Sequence, residues 1–434
     1  MKYTSTRQPS PALGLSAALA AGLAADGGLY VPQSIPIFSP EDFADCRDLP
    51  TIAARLLTPF FADDALATEL PAICTQAFTF PAPVRALATP HDHVLELFHG
   101  PTAAFKDFGA RFLAASMQRL HRTQSKPLTI LVATSGDTGA AVAAAFSGLP
   151  GFRVAILYPD GRVSPRQAHQ LGCFGGNVRA LRVDGSFDDC QRLVKQALVD
   201  TQLRAQTPLG SANSISLGRL LPQMAYYAQA SLEHWRRKNT SLHFIIPTGN
   251  LGNAVACVLA RACGLPIGRI ALATNANRVL PDFFAGADYA PQPSIATLAN
   301  AMDVGAPSNF ERLTWLYPDT AHLRHEFISR SIDDATIRAT IRERHTRYGE
   351  VFCPHTATAI HLLECLRAEH ALAPDEECTV AATAHPAKFE SIVEPLIGAA
   401  VAVPHSLATL LARPAQADPL ENDYAALCRT VLSD

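Results

Sequence analysis

Leu128-Thr129-Ile130-Leu131-Val132-Ala133 runs straight into Thr134-Ser135-Gly136-Asp137-Thr138-Gly139 and then into an alanine-rich stretch. An unbroken apolar and β-branched run reads as a strand buried on both faces, ended by a polar loop with two glycines. The alanines that follow favour a helix. Strand, small-residue loop and helix form the unit from which helix-covered parallel sheets are built.

The unit recurs outward from this stretch. Phe152–Tyr158 and Val178–Val183 are further β-rich runs followed by helical stretches, and Leu242–Ile246, Arg269–Thr274 and Cys378–Thr383 repeat the pattern. The expected fold class is α/β, with parallel sheets covered on both faces. No repeat period or low-complexity tract interrupts it. Residues 1–90 differ: they are rich in proline and alanine, with short amphipathic pieces around Phe43–Phe61. They read as a mainly helical N-terminal domain, with Pro81 and Pro83 marking a linker. Leu13 to Ala25 has the apolar look of a secretory core, but a short helix stopped by Gly27-Gly28 explains it as mature structure.

At 434 residues the chain calls for two or three domains. With 36 basic and 39 acidic side chains it carries no broad field of one sign, so neither a nucleic-acid nor a membrane partner is expected. The ten cysteines are scattered, and no two stand as C-x-x-C. They read as reduced core thiols of a cytoplasmic protein. His91-Asp92-His93 has no further ligand group close by, so it reads as a turn or strand approach and no metal is expected.

In open parallel sheets ligands bind where strands end, and the loops at those places carry unusual residues. Pro247-Thr248-Gly249-Asn250-Leu251-Gly252-Asn253 has the form of a phosphate cradle, since small residues let amides converge before a helix start. It fits a plain turn with a helix cap equally well. No G-x-G-x-x-G or Gly-Lys-Ser/Thr is present to suggest a nucleotide. Lys106 stands between Phe105 and Asp107-Phe108, where an apolar setting would lower its pKa. Composition alone favours a surface lysine there.

Ser135, Asp137 and Thr138 lie in a loop that could hold a carboxylate or merely cap the next helix, with Ser or Asp as the cap. Thr383 ends the last predicted strand, its hydroxyl free for a ligand or for a backbone group. Asn213-Ser214-Ile215-Ser216-Leu217-Gly218-Arg219 reads as a helix opening with Arg219 one turn in. A cation there opposes the helix dipole, which points to an anion as its partner; a surface arginine is the alternative.

Taken together, these segments resemble threonine synthase of the bacterial and fungal type. The resemblance begins at Tyr3-Thr4-Ser5-Thr6-Arg7 and Asp26-Gly27-Gly28-Leu29-Tyr30-Val31-Pro32. It continues through the Lys106 segment, Ser135–Gly139, Ser211-Ala212-Asn213-Ser214, Gly249–Asn253, Asn300-Ala301-Met302-Asp303 and Thr383–Phe389, in order and over most of the chain.

The resemblance implies a fold type II pyridoxal-phosphate enzyme, tryptophan synthase β-like, with two lobes of parallel sheet plus the N-terminal helical domain. It implies residues 91–116 with 233–434 as the cofactor-binding large domain and 117–232 as the small α/β domain. The implied cofactor is pyridoxal 5′-phosphate, and the implied reaction turns O-phospho-L-homoserine and water into L-threonine and phosphate. Lys106 matches the Schiff-base lysine. Gly249, Asn250, Leu251, Gly252 and Asn253 match the loop for the cofactor phosphate. Thr383 matches the partner of the pyridine nitrogen, and Asp137 the neighbour of the 3′-oxygen. Ser135 and Thr138 match the substrate-carboxylate loop; Ser214 and Arg219 match groups near the substrate phosphate.

Ala103 stands where the family commonly has a larger aliphatic residue, and Leu251 where it often has Phe; both bear on pocket shape. The expected enzyme is a monomer or homodimer. A phospholyase of the same fold, giving 2-oxobutyrate, ammonia and phosphate, would share every motif named.

Overall fold

The computed structural model describes residues 1–7, 11–122 and 124–433. Its strands, in chain order, are β1 (Tyr3–Ser5), β2 (Tyr30–Pro32), β3 (Val84–Ala86), β4 (Asp92–Glu96), β5 (Leu128–Ala133), β6 (Phe152–Pro159), β7 (Val178–Val183), β8 (Leu209–Ser211), β9 (Leu242–Pro247), β10 (Ile267–Thr274), β11 (Phe327–Ser331), β12 (Cys378–Ala382) and β13 (Asp418–Leu420). The larger sheet runs β11-β10-β9-β12-β4-β3, parallel except for the antiparallel edge strand β3. The smaller sheet runs β13-β7-β6-β5-β8 and is parallel throughout.

Every residue of β5 is buried, as its unbroken apolar run requires. Successive side chains point to opposite faces: Ile130 and Val132 join the main core, while Leu131 and Ala133 join a cluster on the far side. In β12, Ala381 faces the main core, and Val380 and Ala382 face a cluster behind the larger sheet. Helix Lys106–Leu120 leaves the larger sheet and packs on helix Asp137–Phe146 of the smaller one, so each end of that contact starts at a strand-end loop.

The N-terminal region is mainly helical, as expected, with β1 and β2 paired antiparallel across it. Helix Leu49–Leu57 starts at Asp48, whose side chain accepts the Thr51 amide at 2.9 Å, and it buries Ile52, Ala53 and Leu56. Helix Leu15–Ala21 stops earlier than expected. Gly22, at φ 73°, ends it, and Gly27-Gly28 lie in the following turn. There the bare Gly28 is required, because a Cβ would fall 2.2 Å from Ser5 Oγ.

The expected division placed residues 233–434 in the large lobe, but the C-terminal segment belongs with the smaller sheet. β13 pairs with β7, and Leu420, Leu427 and Val431 bury their apolar faces against Leu181, Leu193 and Val194. Strand β4 begins at Asp92, just after His91 at φ 62°, and no cluster of metal-ligand groups exists among the described residues. All ten cysteines are free thiols, most of them buried. No helix among the described residues is long and apolar enough to cross a membrane.

Candidate active site

The loop leading to Lys106 is zipped to the end of β12. Leu97 N donates to Ala382 O at 3.0 Å, Phe105 N to Thr383 O at 2.8 Å, and His385 N to Ala103 O at 3.0 Å. Ala103 lies at φ 55°, buried against Ala387 and Leu407. This register places Lys106 as the first residue of helix Lys106–Leu120, with Nζ 4.3 Å from the centre of the Phe105 ring. Burial, then the nearby Arg219 charge, lowers the Lys106 amine to about 7 despite the opposing pull of Asp137. The surface-lysine alternative is thereby set aside.

β9 ends in the Gly249–Asn253 loop, and helix Gly252–Ala262 starts inside it. Leu251 takes the left-handed conformation at φ 60°. Gly249 lies so close to the next segment that a Cβ would come 2.7 Å from Met302 Cα. Asn250 Nδ2 donates to Ser214 Oγ at 2.8 Å, and Asn250 O accepts Asn309 Nδ2 at 3.0 Å. The hydroxyls of Tyr226 and Tyr227 both donate to Asn253 Oδ1, at 2.6 and 2.8 Å, and this fixes the amide's orientation. Its Nδ2 is left buried without a protein partner among the described residues.

The Ser135–Gly139 loop follows β5 and turns at Gly136, φ 130°. Thr134 is the residue that caps it: its Oγ1 accepts the amides of Gly136 and Gly139, both at 2.9 Å. Neither Ser135 nor Asp137 serves as the cap considered from the sequence. Ser135 and Thr138 instead line a cavity together with Lys106, Ser214, Asn250 and Lys195. Asp137 turns away from solvent to Lys388 Nζ and Gln167 Nε2, at 2.8 and 2.9 Å. Burial disfavours its charge, yet Lys388 and His355 hold its carboxyl below the ordinary value.

Arg219 is fully buried. The helix it was expected to open is only Leu217–Leu220, so the dipole argument does not apply to it. Its Nη1 donates to Ala212 O, while Nε and Nη2 have no protein partner among the described residues. Burial brings its guanidinium down to about 10. It stands behind the cavity wall, near Lys106, rather than on the lining. Thr383, just past β12, is nearly buried, and its carbonyl is spent on Phe105.

Several polar residues were missed by sequence reasoning. Lys388, Gln167, Asn300 and His355 surround Asp137. Gln167 is 30 residues from Asp137 and 133 from Asn300, and Lys388 lies farther still from Asp137, so no local spacing announces them. Burial lowers His355 to about 4, and its Nε2 accepts the Ala301 amide at 3.1 Å.

The donors fit a phosphorylated pyridine aldehyde. An amine near neutrality stands at the head of one helix, and at the head of another lies an amide without a partner among the described residues, beside the first-turn N–H groups that a helix leaves without intrahelical acceptors. Strand-end loops, two parallel sheets and this donor set define a pyridoxal-phosphate-dependent enzyme of fold type II, and residues 93–383 match the family model described as pyridoxal-phosphate dependent enzyme. Residues 2–78 match the threonine synthase N terminus and 356–431 the threonine synthase C-terminal model.

The chain belongs to the threonine synthase family. It is 39% identical to threonine synthase from Escherichia coli over 100% of both chains. The solved structure of that protein superposes with a TM-score of 0.92, covering 100% of each chain. A PLP-bound threonine synthase from Brucella melitensis gives 0.89 at 34% identity, covering 100% of this chain and 99% of that one.

Proposed function

We propose that this chain converts O-phospho-L-homoserine and water into L-threonine and phosphate, with Lys106 as the reacting amine. One observation carries the reading: the Lys106 amine, brought close to neutrality, shares one cavity with Ser135, Thr138, Ser214 and Asn250. A single space thus offers a base and polar contacts for both ends of a phosphorylated amino acid.

Pyridoxal phosphate supplies an electrophilic carbon and an electron sink. Gly249, Asn250, Leu251, Gly252 and Asn253 would hold its phosphate, with Asn253 Nδ2 as a donor that no group among the described residues takes. Thr383 would meet the ring nitrogen as a neutral partner, and Asp137 would lie near the 3′-oxygen. Lys106 would hold the cofactor's aldehyde carbon and, as a free amine, would take the Cα proton and move protons again as phosphate leaves Cγ and water enters at Cβ. The Ser135 and Thr138 hydroxyls hold the substrate carboxylate.

Ser214 meets the substrate phosphate from the cavity lining, and the charge of Arg219, buried behind the wall with two nitrogens unpartnered among the described residues, attracts it from there. A substrate lacking that phosphate would leave the buried guanidinium uncompensated, which gives the site its selectivity. The domain division that accompanies this reading is residues 1–90, residues 91–116 with 233–417, and residues 117–232 with 418–433. The enzyme works in the cytoplasm, as a monomer or homodimer.

The test is phosphate release from phosphohomoserine with the amino-acid product identified. Threonine as the main product supports the reading, and Lys106→Ala abolishes it. Phosphate accompanied by 2-oxobutyrate and ammonia would overturn it.

A further inference from the structure

Lys388 and Asp137 form an ion pair of 2.8 Å whose side chains are 0% and 4% exposed. Lys388 belongs to the segment after β12, and Asp137 opens the helix after the Ser135–Gly139 loop, so the pair joins the two sheets' lobes. Lys388 Nζ also donates to Thr102 O at 2.8 Å, in the loop that delivers Lys106. Thr102 in turn gives its amide and hydroxyl to the two oxygens of Asp107, at 2.8 and 2.7 Å.

The lobes are stitched further around the same point. Ser164 Oγ donates to Lys388 O at 2.8 Å, and Arg166 to Ala387 O. Gln167 bonds Asp137 on one side and accepts Asn300 Nδ2 at 3.0 Å on the other.

We propose that Lys388 is a positioning residue that docks the two lobes around the reaction site by carrying the counter-charge of Asp137. The proposal rests on the roles given above to Lys106 and the Ser135–Gly139 loop. Only a cation serves here. A neutral side chain could still bond Thr102 O, but it would leave a carboxylate sealed from water, and removing one partner of a buried pair is strongly unfavourable.

The other titratable groups facing the pair among the described residues are Asp107, His355, His385 and the Cys353 thiol, which burial pushes up, with Lys106 next to Asp137 and Arg219 beyond. Burial lowers both imidazoles to about 4, so neither can replace the lysine's charge near neutrality. Asp107 is spent on Thr102 and, pushed up by burial to about 6, supplies no positive charge either.

The experiment compares cofactor-loaded wild type, Lys388→Met and the double variant Asp137→Asn with Lys388→Met, following kcat/KM for phosphate release from phosphohomoserine across the neutral pH range. Lys388→Met loses on the order of a hundredfold, the scale of a misplaced reacting group. Its pH profile gains a titration from Asp137, whose carboxyl rises once its counter-ion is gone. The double variant lacks that titration and recovers part of the loss.

If Lys388→Met does not fold while the double variant does, the unpaired charge is again the cause and the proposal stands. It is overturned if the two variants share one profile and one loss, if the double variant is the worse, or if neither folds. A wild-type enzyme that makes no threonine would sink the functional reading instead, so the two failures are told apart.

Discussion

Replacing Lys106 with methionine should stabilise the protein stripped of its cofactor, and by an amount that depends on pH. The amine titrates near 7 in the folded chain, against an ordinary lysine value of 10.5. The folded state therefore binds this proton more weakly than the unfolded state, and the sign follows from linkage. Below pH 7 the amine is charged in both states and the folded chain bears the full cost of burying it. As pH rises from 7 toward 10.5 the cost shrinks, because only the unfolded chain still holds the proton.

At 1.36 kcal/mol per unit, the cost is about 5 kcal/mol near pH 6 and about 2 kcal/mol near pH 9. Both are upper values, since the side chain keeps some contact with the open cavity. Methionine keeps the unbranched apolar stem without the ammonium. Urea unfolding of both apoproteins near the two pH values gives the comparison directly. A stability gain that is larger near pH 6 than near pH 9, by about 2–3 kcal/mol, is expected. An equal gain at both, or none, would refute the claim that this amine is held out of water.

Two other substitutions probe separate parts of the molecule. Gly249→Ala drives a methyl to within 2.7 Å of Met302 Cα, so the loop must shift; cofactor affinity, followed by fluorescence titration, falls at least tenfold while the far-ultraviolet spectrum is unchanged. Arg344→Met breaks the buried pair with Glu350, whose side chains are 3% and 8% exposed, and lowers unfolding free energy by about 3–5 kcal/mol in a denaturant titration, with little change in kcat.

The strands that were legible from sequence are the ones rich in apolar and β-branched residues. β5 and β12 are buried at every position and β6, β7, β9 and β10 at most of theirs, and each lies within a residue or two of its expected span. β8 and β13 are three residues long, and β11 carries Ser329, Arg330 and Ser331; such segments become strands only through the neighbour they pair with. The site shows the same division. Lys106 and Gly249–Asn253 were legible because they follow strands within one continuous motif. The Asp137–Lys388 pair, the double hydroxyl grip on Asn253 and the burial of Arg219 arise from segments that meet only after folding.

The return of the C-terminal segment to the smaller sheet has a consequence for how the chain assembles. Until β13 arrives, β7 presents an open edge, with unpaired backbone groups and the flanking Leu181 and Val183 uncovered. The strand that seals it comes much later, as the separation of 239 positions between Arg179 and its ion-pair partner Asp418 shows. On the ribosome that edge stays adhesive while the whole second half is being made, so a transcript ending early should yield a polypeptide that sticks to its own copies.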